Sequence, residues 1–360
     1  MERYGCKTMV ISGEGALAAL EEQKGERLLI VTAPELKNSL PLRRLTAALR
    51  CRERHFFDDI SPEPTMLQAL EGTRKIRELG TELVVALGGQ QVMDCAKAMV
   101  CFAGGNRTLA VVPTVCGSGT EVTDRACLSH NGCRHLLRDE GMRPSLAILD
   151  RQMMEACPGR EIAEGGFALL AAAVEAYSVW DGGLITDIHA REAFCAGWGA
   201  LSGAVSGDPE AQRRLLAASA MVGMAYGERG LGLCHAMENS LGSMFSLSRG
   251  KLAGILLPVI IGWNAHAAGR KYAELSRVAG LGGSSEALGL KNLKNGLIRL
   301  RRELGLPGTL AQAGVNPRAL WSHVQRVTQR TLEDPDCRNN PVAVDDFMIR
   351  RILEEAAGRL

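Results

Sequence analysis

The sequence has no Cys-x-x-Cys pair, although it carries 11 cysteines in 360 residues. That excludes zinc-ribbon spacing, and the odd total predicts free thiols in a reducing compartment. Cys95, Cys116 and Cys234 are expected to be small buried residues. Aromatic residues are few, at 4%, while 46% of the chain is hydrophobic. An Ala/Leu/Gly-rich composition of this kind excludes disorder and predicts sizeable cores. Neither sign of charge is in excess, with a formal net charge of +2. The basic residues are spread out, so no nucleic-acid partner is expected. No apolar run reaches the roughly 20 residues of a membrane span. The first residues, MERYGCKTMVISGEG, contain no signal-peptide apolar region. No membrane partner is expected, and a cytoplasmic location is.

A chain of this length predicts two domains. In the first half, residues 28–33 (LLIVTA), 82–87 (ELVVAL), 109–114 (LAVVPT) and 146–150 (LAILD) are short apolar runs. They read as parallel strands buried on both faces. A helix over 65–79 separates the first two, which predicts βαβ units and a doubly wound sheet with ligands at the carboxyl ends of its strands. After Pro158 the pattern turns helical, with helices predicted over 163–180, 188–201, 209–226, 233–245 and 251–268. Gly182-Gly183 and 280–283 read as loops. The boundary is placed near Cys157. It separates an α/β nucleotide-binding domain, 1–157, from an all-α domain, 158–360.

Three stretches carry candidate chemistry. In 87–97, LGGQQVMDCAK, a strand runs through Gly88-Gly89 into a helix. Backbone N–H groups at that helix start can face a pyrophosphate, and glycine leaves room for it. A plain tight turn explains the pair nearly as well. In 113–123, PTVCGSGTEVT, hydroxyls and small residues follow a strand and suit a nucleotide or ribose contact, or a capped loop. In 231–264, LGLCHAMENSLGSMFSLSRGKLAGILLPVIIGWN, His235, Glu238 and Asn239 fall at i, i+3 and i+4 on one helix face. Arg249 follows on the next segment, so two helices can present groups to one cavity.

In this order, the motifs resemble those of the iron-containing (group III) alcohol dehydrogenases: GGGSxxDxAK, PTTxGTGSEVT and HAMAHxLG...PHGxxNAxLLPxV. Ser12–Ala16, the LAILD run, Val174-Glu175-Ala176-Tyr177, Asp334 and Asn340-Pro341 extend the similarity over essentially the whole chain. Details such as Met93-Asp94 and Ala96-Lys97-Ala98 look most like the propanol dehydrogenase branch associated with microcompartments. The resemblance implies a dehydroquinate synthase-like fold with a cleft between an α/β and a helical domain. It also implies NAD(P)-linked interconversion of a short alcohol and aldehyde, in a homodimer. Gly88, Gly89, Gln90, Gln91, Asp94 and Lys97 then become cofactor-binding candidates, with Thr114, Val115, Ser118, Thr123 and Arg134.

The departures bear on the chemistry. The family's third glycine and phosphate-binding serine are Gln90 and Gln91 here. The acid that usually follows the first strand is Ala33, which permits NADP as well as NAD. A usual lysine aligns with Arg134, which keeps the charge. The family's metal-binding Asp and His, four apart on one helix, are Ala168 and Ala172. Its second metal-binding histidine of the 231–264 stretch is Arg249, and its substrate-side histidine is Asn239. Only His235 survives among four ligand positions. Arginine has no lone pair to give, so no metal is expected. Two readings follow. In one, His235, Asn239 and Arg249 form a metal-free oxyanion pocket for carbonyl reduction. In the other, the chain is a pseudoenzyme, acting as a nucleotide sensor or as a structural partner of an active paralogue.

Overall fold

The computed structural model describes residues 4–23 and 25–358. Its strands are β1 (Met9–Ser12), β2 (Arg27–Thr32), β3 (Glu53–Phe57), β4 (Leu83–Gly88), β5 (Thr108–Pro113), β6 (Arg125–His130), β7 (Cys133–Arg138) and β8 (Leu146–Leu149). Six of them form one parallel sheet in the order β1-β8-β5-β4-β2-β3. Helices α1 (Leu40–Ala48), α2 (Met66–Glu78) and α3 (Gln90–Ala103) lie among the crossovers.

The four apolar runs are strands β2, β4, β5 and β8, because alternate residues enter two different cores. Leu28, Ile30, Val85, Val112 and Ile148 pack with Leu42 and Leu45 of α1 on one face. Leu29, Val31, Val84, Val111 and Leu149 pack on the other, against α2 and α3. Burial on both faces makes the runs continuous rather than alternating. Strands β1 and β3 escaped the sequence pattern because they are sheet edges, with burial too partial to leave an apolar run. The helix expected over 65–79 is α2, started by a reciprocal capping box between Thr65 and Gln68.

The antiparallel hairpin of β6 and β7 was not anticipated either. Its signal was present: Asn131 (φ 51°) and Gly132 (φ 68°) make a two-residue turn in the left-handed region, which Asn-Gly favours.

Beyond Pro158 the described residues hold helices and no strand. They are α4 (Gly159–Ser178), α5 (Leu184–Val205), α6 (Pro209–Arg229), α7 (Leu233–Phe245), α8 (Arg249–Trp263), α9 (Ala265–Val278), α10 (Glu286–Glu303), α11 (Pro317–Glu333) and α12 (Asp346–Ala357). The helix expected over 251–268 is corrected to two, α8 and α9, bent by 119°. The break falls at buried Asn264, whose amide exchanges hydrogen bonds of 2.8 and 2.9 Å with that of Asn340. A partner 76 residues away fixes that bend, so local pattern could not show it. No single helix among the described residues is long and apolar enough to cross a membrane.

Two close contacts join the halves. The loop after β5 lies directly on α4 and α6, backbone against backbone. A Cβ on Gly165 of α4 would sit 2.2 Å from the Cys116 carbonyl oxygen. One on Gly223 of α6 would sit 2.0 Å from that of Gly119. Beneath the loop, fully buried Lys97 of α3 donates to the carbonyls of Thr120 (2.8 Å) and Arg125 (2.5 Å) and to the hydroxyls of Thr120 and Thr123. Burial lowers its pKa to about 8, opposed by Asp94, 4.0 Å away.

Gly223→Ala should lower stability by about 1–3 kcal/mol, because neither backbone can yield. The check is the urea midpoint, which should fall at an unchanged slope. Lys97→Met leaves Asp94 and the Arg125 carbonyl without their cation. It should lose about 3–5 kcal/mol by the same measurement.

Candidate functional site

A cavity of about 310 Å³ lies at the carboxyl ends of β4 and β5, between the sheet and α4, α6, α7 and α8. Its sheet wall carries Gln90, Gln91, Asp94, Val115, Ser118 and Cys127. Its helical wall carries Ala168, Ala172, Glu175, Tyr226, His235, Glu238 and Arg249. Arg134, from β7, completes the lining with Glu63.

The helical wall is held from α4. Gly232 caps α7 with no side chain of its own, and the Glu175 carboxylate supplies the missing acceptor. It receives the backbone N–H of Cys234 at 2.7 Å and of His235 at 3.1 Å. Burial, with Glu238 nearby, pushes the Glu175 pKa well above the ordinary carboxyl value.

Arg249 is the first residue of α8, positioned by the Ser248 cap. Its Nη1 stands 3.2 Å from both ring nitrogens of His235 and 3.8 Å from Glu238 Oε2. Burial, and then Arg249, hold the His235 pKa well below its usual value. The imidazole is therefore neutral and can accept from the guanidinium. Around it stand Glu238 Oε2, 3.7 Å from Nδ1, and Asp336 Oδ2, 3.7 Å from Nε2. Burial raises Glu238 to about 7, against the pull of Arg249. Burial also opposes ionisation of Asp336, but the charge and hydrogen bond of Arg125 outweigh it and hold its pKa down. Arg125 donates to Asp336 at 2.5 Å and lies over the Tyr226 ring.

At the sheet wall, α3 begins at Gly89 with no side-chain cap. The backbone N–H groups of Gln90 and Gln91 have no acceptor among the described residues; the helix's first bonds, from Val92 and Met93, return to the Gly89 carbonyl. The Gln91 carboxamide lies against Gly89, with Oε1 2.8 Å from where a Cβ would be. Gln90 Nε2 donates to Asp94 at 3.2 Å, and Asp94 also accepts from Thr120 Oγ1 and the Cys127 N–H.

The structure brings together Gln90, Gln91, Asp94, Val115, Ser118, Arg134, His235 and Arg249 on this one cavity. It does not bring the rest. Lys97 and Thr123 are buried against each other behind the wall. Thr114 donates its N–H to the Gly88 carbonyl and stays in the strand connection; Gly88 packs against Val92, and Gly89 sits behind the Gln91 side chain. Asn239 turns away and donates to Asp334 at 2.8 Å, because α11's end offers a carboxylate on that side. Tyr226 and Asp336 were not singled out; Glu238 was placed on the helix face of His235 but given no part in the site. For Glu238 a signal existed: it occupies the alanine of the family's HAMAH motif, opposite the new Arg249.

The residues at the family's metal position do not fit a metal. Ala168 and Ala172 offer methyls, Arg249 has no lone pair and already occupies His235. Among the described residues no group of three His, Cys, Asp or Glu side chains could hold an ion. The uncapped start of α3, by contrast, fits the diphosphate of a dinucleotide.

The sequence matches the family described as iron-containing alcohol dehydrogenase over residues 7–151. It matches the Fe-containing alcohol dehydrogenase family, C-terminal, over 162–357. It is 31% identical to 1-propanol dehydrogenase PduQ of Salmonella typhimurium, over 99% of this chain and 100% of that protein. It is 26% identical to lactaldehyde reductase of Escherichia coli, over 91% of this chain and 92% of that one. The iron-containing alcohol dehydrogenase of Thermococcus thioreducens superposes with a TM-score of 0.90 at 26% identity, over 98% and 99% of the two chains. A 1,3-propanediol oxidoreductase shares the fold at a TM-score of 0.93 and 24% identity, over 99% and 100%. With both halves matched in order along nearly its full length, the chain belongs to the iron-containing alcohol dehydrogenase family.

Proposed function

We propose that this chain is a metal-independent, nicotinamide-linked oxidoreductase that interconverts a short alcohol and its aldehyde. The single observation carrying this is Arg249. One nitrogen of its guanidinium is held by His235, while Nε and Nη2 have no acceptor among the described residues. Such a group is a fixed positive charge aimed at a cavity, and it can stabilise the negative charge that grows on a carbonyl oxygen during reduction. Neutral His235 and Glu238 hold it in place. A reduced nicotinamide, when bound, supplies the hydride to the carbonyl carbon. The oxygen takes its proton from solvent.

The N–H groups of Gln90 and Gln91 would hold the diphosphate, with Val115 and Ser118 beside the remainder. Ala33 carries no charge to repel a 2′-phosphate, so both NAD and NADP belong to this reading. The relatives' names, propanol dehydrogenase and lactaldehyde reductase, support a short-chain substrate. A cytoplasmic homodimer completes the reading, built through a sheet edge at β1 or β3.

A second reading has its own observation: the Gln91 carboxamide lies over Gly89, on the ground a diphosphate would approach. In that reading the chain is a pseudoenzyme and partners an active paralogue.

Calorimetric titration of NADH and of NADPH into EDTA-treated protein separates the two. Micromolar binding of both, within about tenfold of each other, is expected for the oxidoreductase. Binding of neither would leave the pseudoenzyme. In an aldehyde assay, Arg249→Ala should lower kcat by about 100-fold or more. EDTA should change nothing; equal loss with the chelator would overturn metal independence.

A further inference from the structure

Two guanidinium groups line the cavity, and both have donors to spare. Arg249 spends Nη1 on His235. Arg134 spends Nε on Glu63 Oε1, at 3.2 Å. Its Nη1 lies over Gly242 of α7, where a Cβ would be 2.4 Å away. Gly242 is seven residues from His235, two helical turns along, so Arg134 stands against the same helix that holds Arg249's partner. Neither Nη group of Arg134 has an acceptor among the described residues, and neither is fully buried. The two charges are close enough to feel each other: burial lowers the pKa of Arg134, and Arg249 lowers it further.

Three carboxylates of the wall are committed elsewhere. Asp94 is occupied by Thr120, Gln90 and the Cys127 N–H. Glu175 closes the start of α7. Glu164 is paired with Arg160 and Lys251. Glu63 meets only the Nε of Arg134, and Glu238 meets Arg249 only at 3.8 Å. What remains is a small chamber with two guanidinium forks, each only partly filled, Arg249 by His235 and Arg134 by Glu63. A planar carboxylate is the group whose geometry such a fork matches, and the match is strongest out of bulk water.

We propose that the substrate of this cavity is a short aldehyde or alcohol that carries a carboxylate at its other end, with Arg134 binding the carboxylate and Arg249 facing the reacting oxygen. This rests on the oxidoreductase reading for the reacting end, but the carboxylate site can be tested without turnover.

The test compares 4-oxobutanoate with butanal, which have the same chain length, in wild type and in Arg134→Gln. The readout is the ratio of their kcat/KM values within each protein, so any effect of the variant on cofactor cancels. Wild type should favour the acid by at least about tenfold, the worth of one charge-assisted hydrogen bond. In Arg134→Gln the ratio should fall towards one. A wild-type ratio near one, with butanal turned over, overturns the carboxylate site and leaves the oxidoreductase reading standing. A high ratio that Arg134→Gln leaves intact overturns the assignment to Arg134. If neither aldehyde is reduced, the oxidoreductase reading falls, and calorimetry with 4-hydroxybutanoate against 1-butanol decides the site. Acid-selective binding that weakens about tenfold in Arg134→Gln upholds it; binding that is absent or indifferent to the acid overturns it.

Discussion

The contact on which the molecule depends is backbone lying on backbone. The loop after β5 touches Gly165 of α4 and Gly223 of α6 with no side chain between. Because peptide groups cannot rotate out of the way as side chains do, this contact sets the separation of the sheet from the helices. The cavity follows from that separation. Ser118 and Val115 sit on the loop, and Ala168 and Ala172 follow Gly165 along the same helix by one and two turns. Tyr226, one turn beyond Gly223, reaches the Ser118 carbonyl with its hydroxyl at 2.6 Å and locks the loop from the other side.

Inside that frame the helical wall presents a guanidinium, that of Arg249, to the cavity. A guanidinium costs desolvation energy that only nearby partners offset. Arg249 has a neutral imidazole at 3.2 Å and a carboxyl group at 3.8 Å. His235 in turn faces Asp336, which is kept ionised by Arg125. This chain of polar contacts runs from half-buried Arg249 and His235 at the cavity to buried Asp336 and Arg125 in the interior. At 168 and 172 the wall offers only the methyls of two alanines.

Much of this was legible beforehand, and the reasons differ by element. The span of α7 matches its expected residues, 233–245, because Gly232 and Ser246 bound an unbroken helical pattern. The four central strands were readable because burial on both faces leaves an uninterrupted apolar run. The Asn-Gly turn of the β6–β7 hairpin was readable too, but it lies among polar residues whose strand character comes from pairing with each other. Strands β1 and β3 lack a pattern because their edges are only partly covered.

The sequence by itself determined the family, the order of sheet and helices, and the lack of donor atoms at Ala168 and Ala172. Those follow from properties each residue carries wherever it sits: apolar surface, backbone freedom, the presence or lack of a lone pair. The tertiary structure alone decided which motif residues reach the cavity. It turned Lys97 and Thr123 inward to support a loop, gave Asn239 to Asp334, and set Glu238 and Asp336 around His235. Each of those outcomes, except the local spacing of Glu238, is settled by a partner more than 20 residues away. A side chain's direction depends on what the folded chain places beside it, and that information is not local.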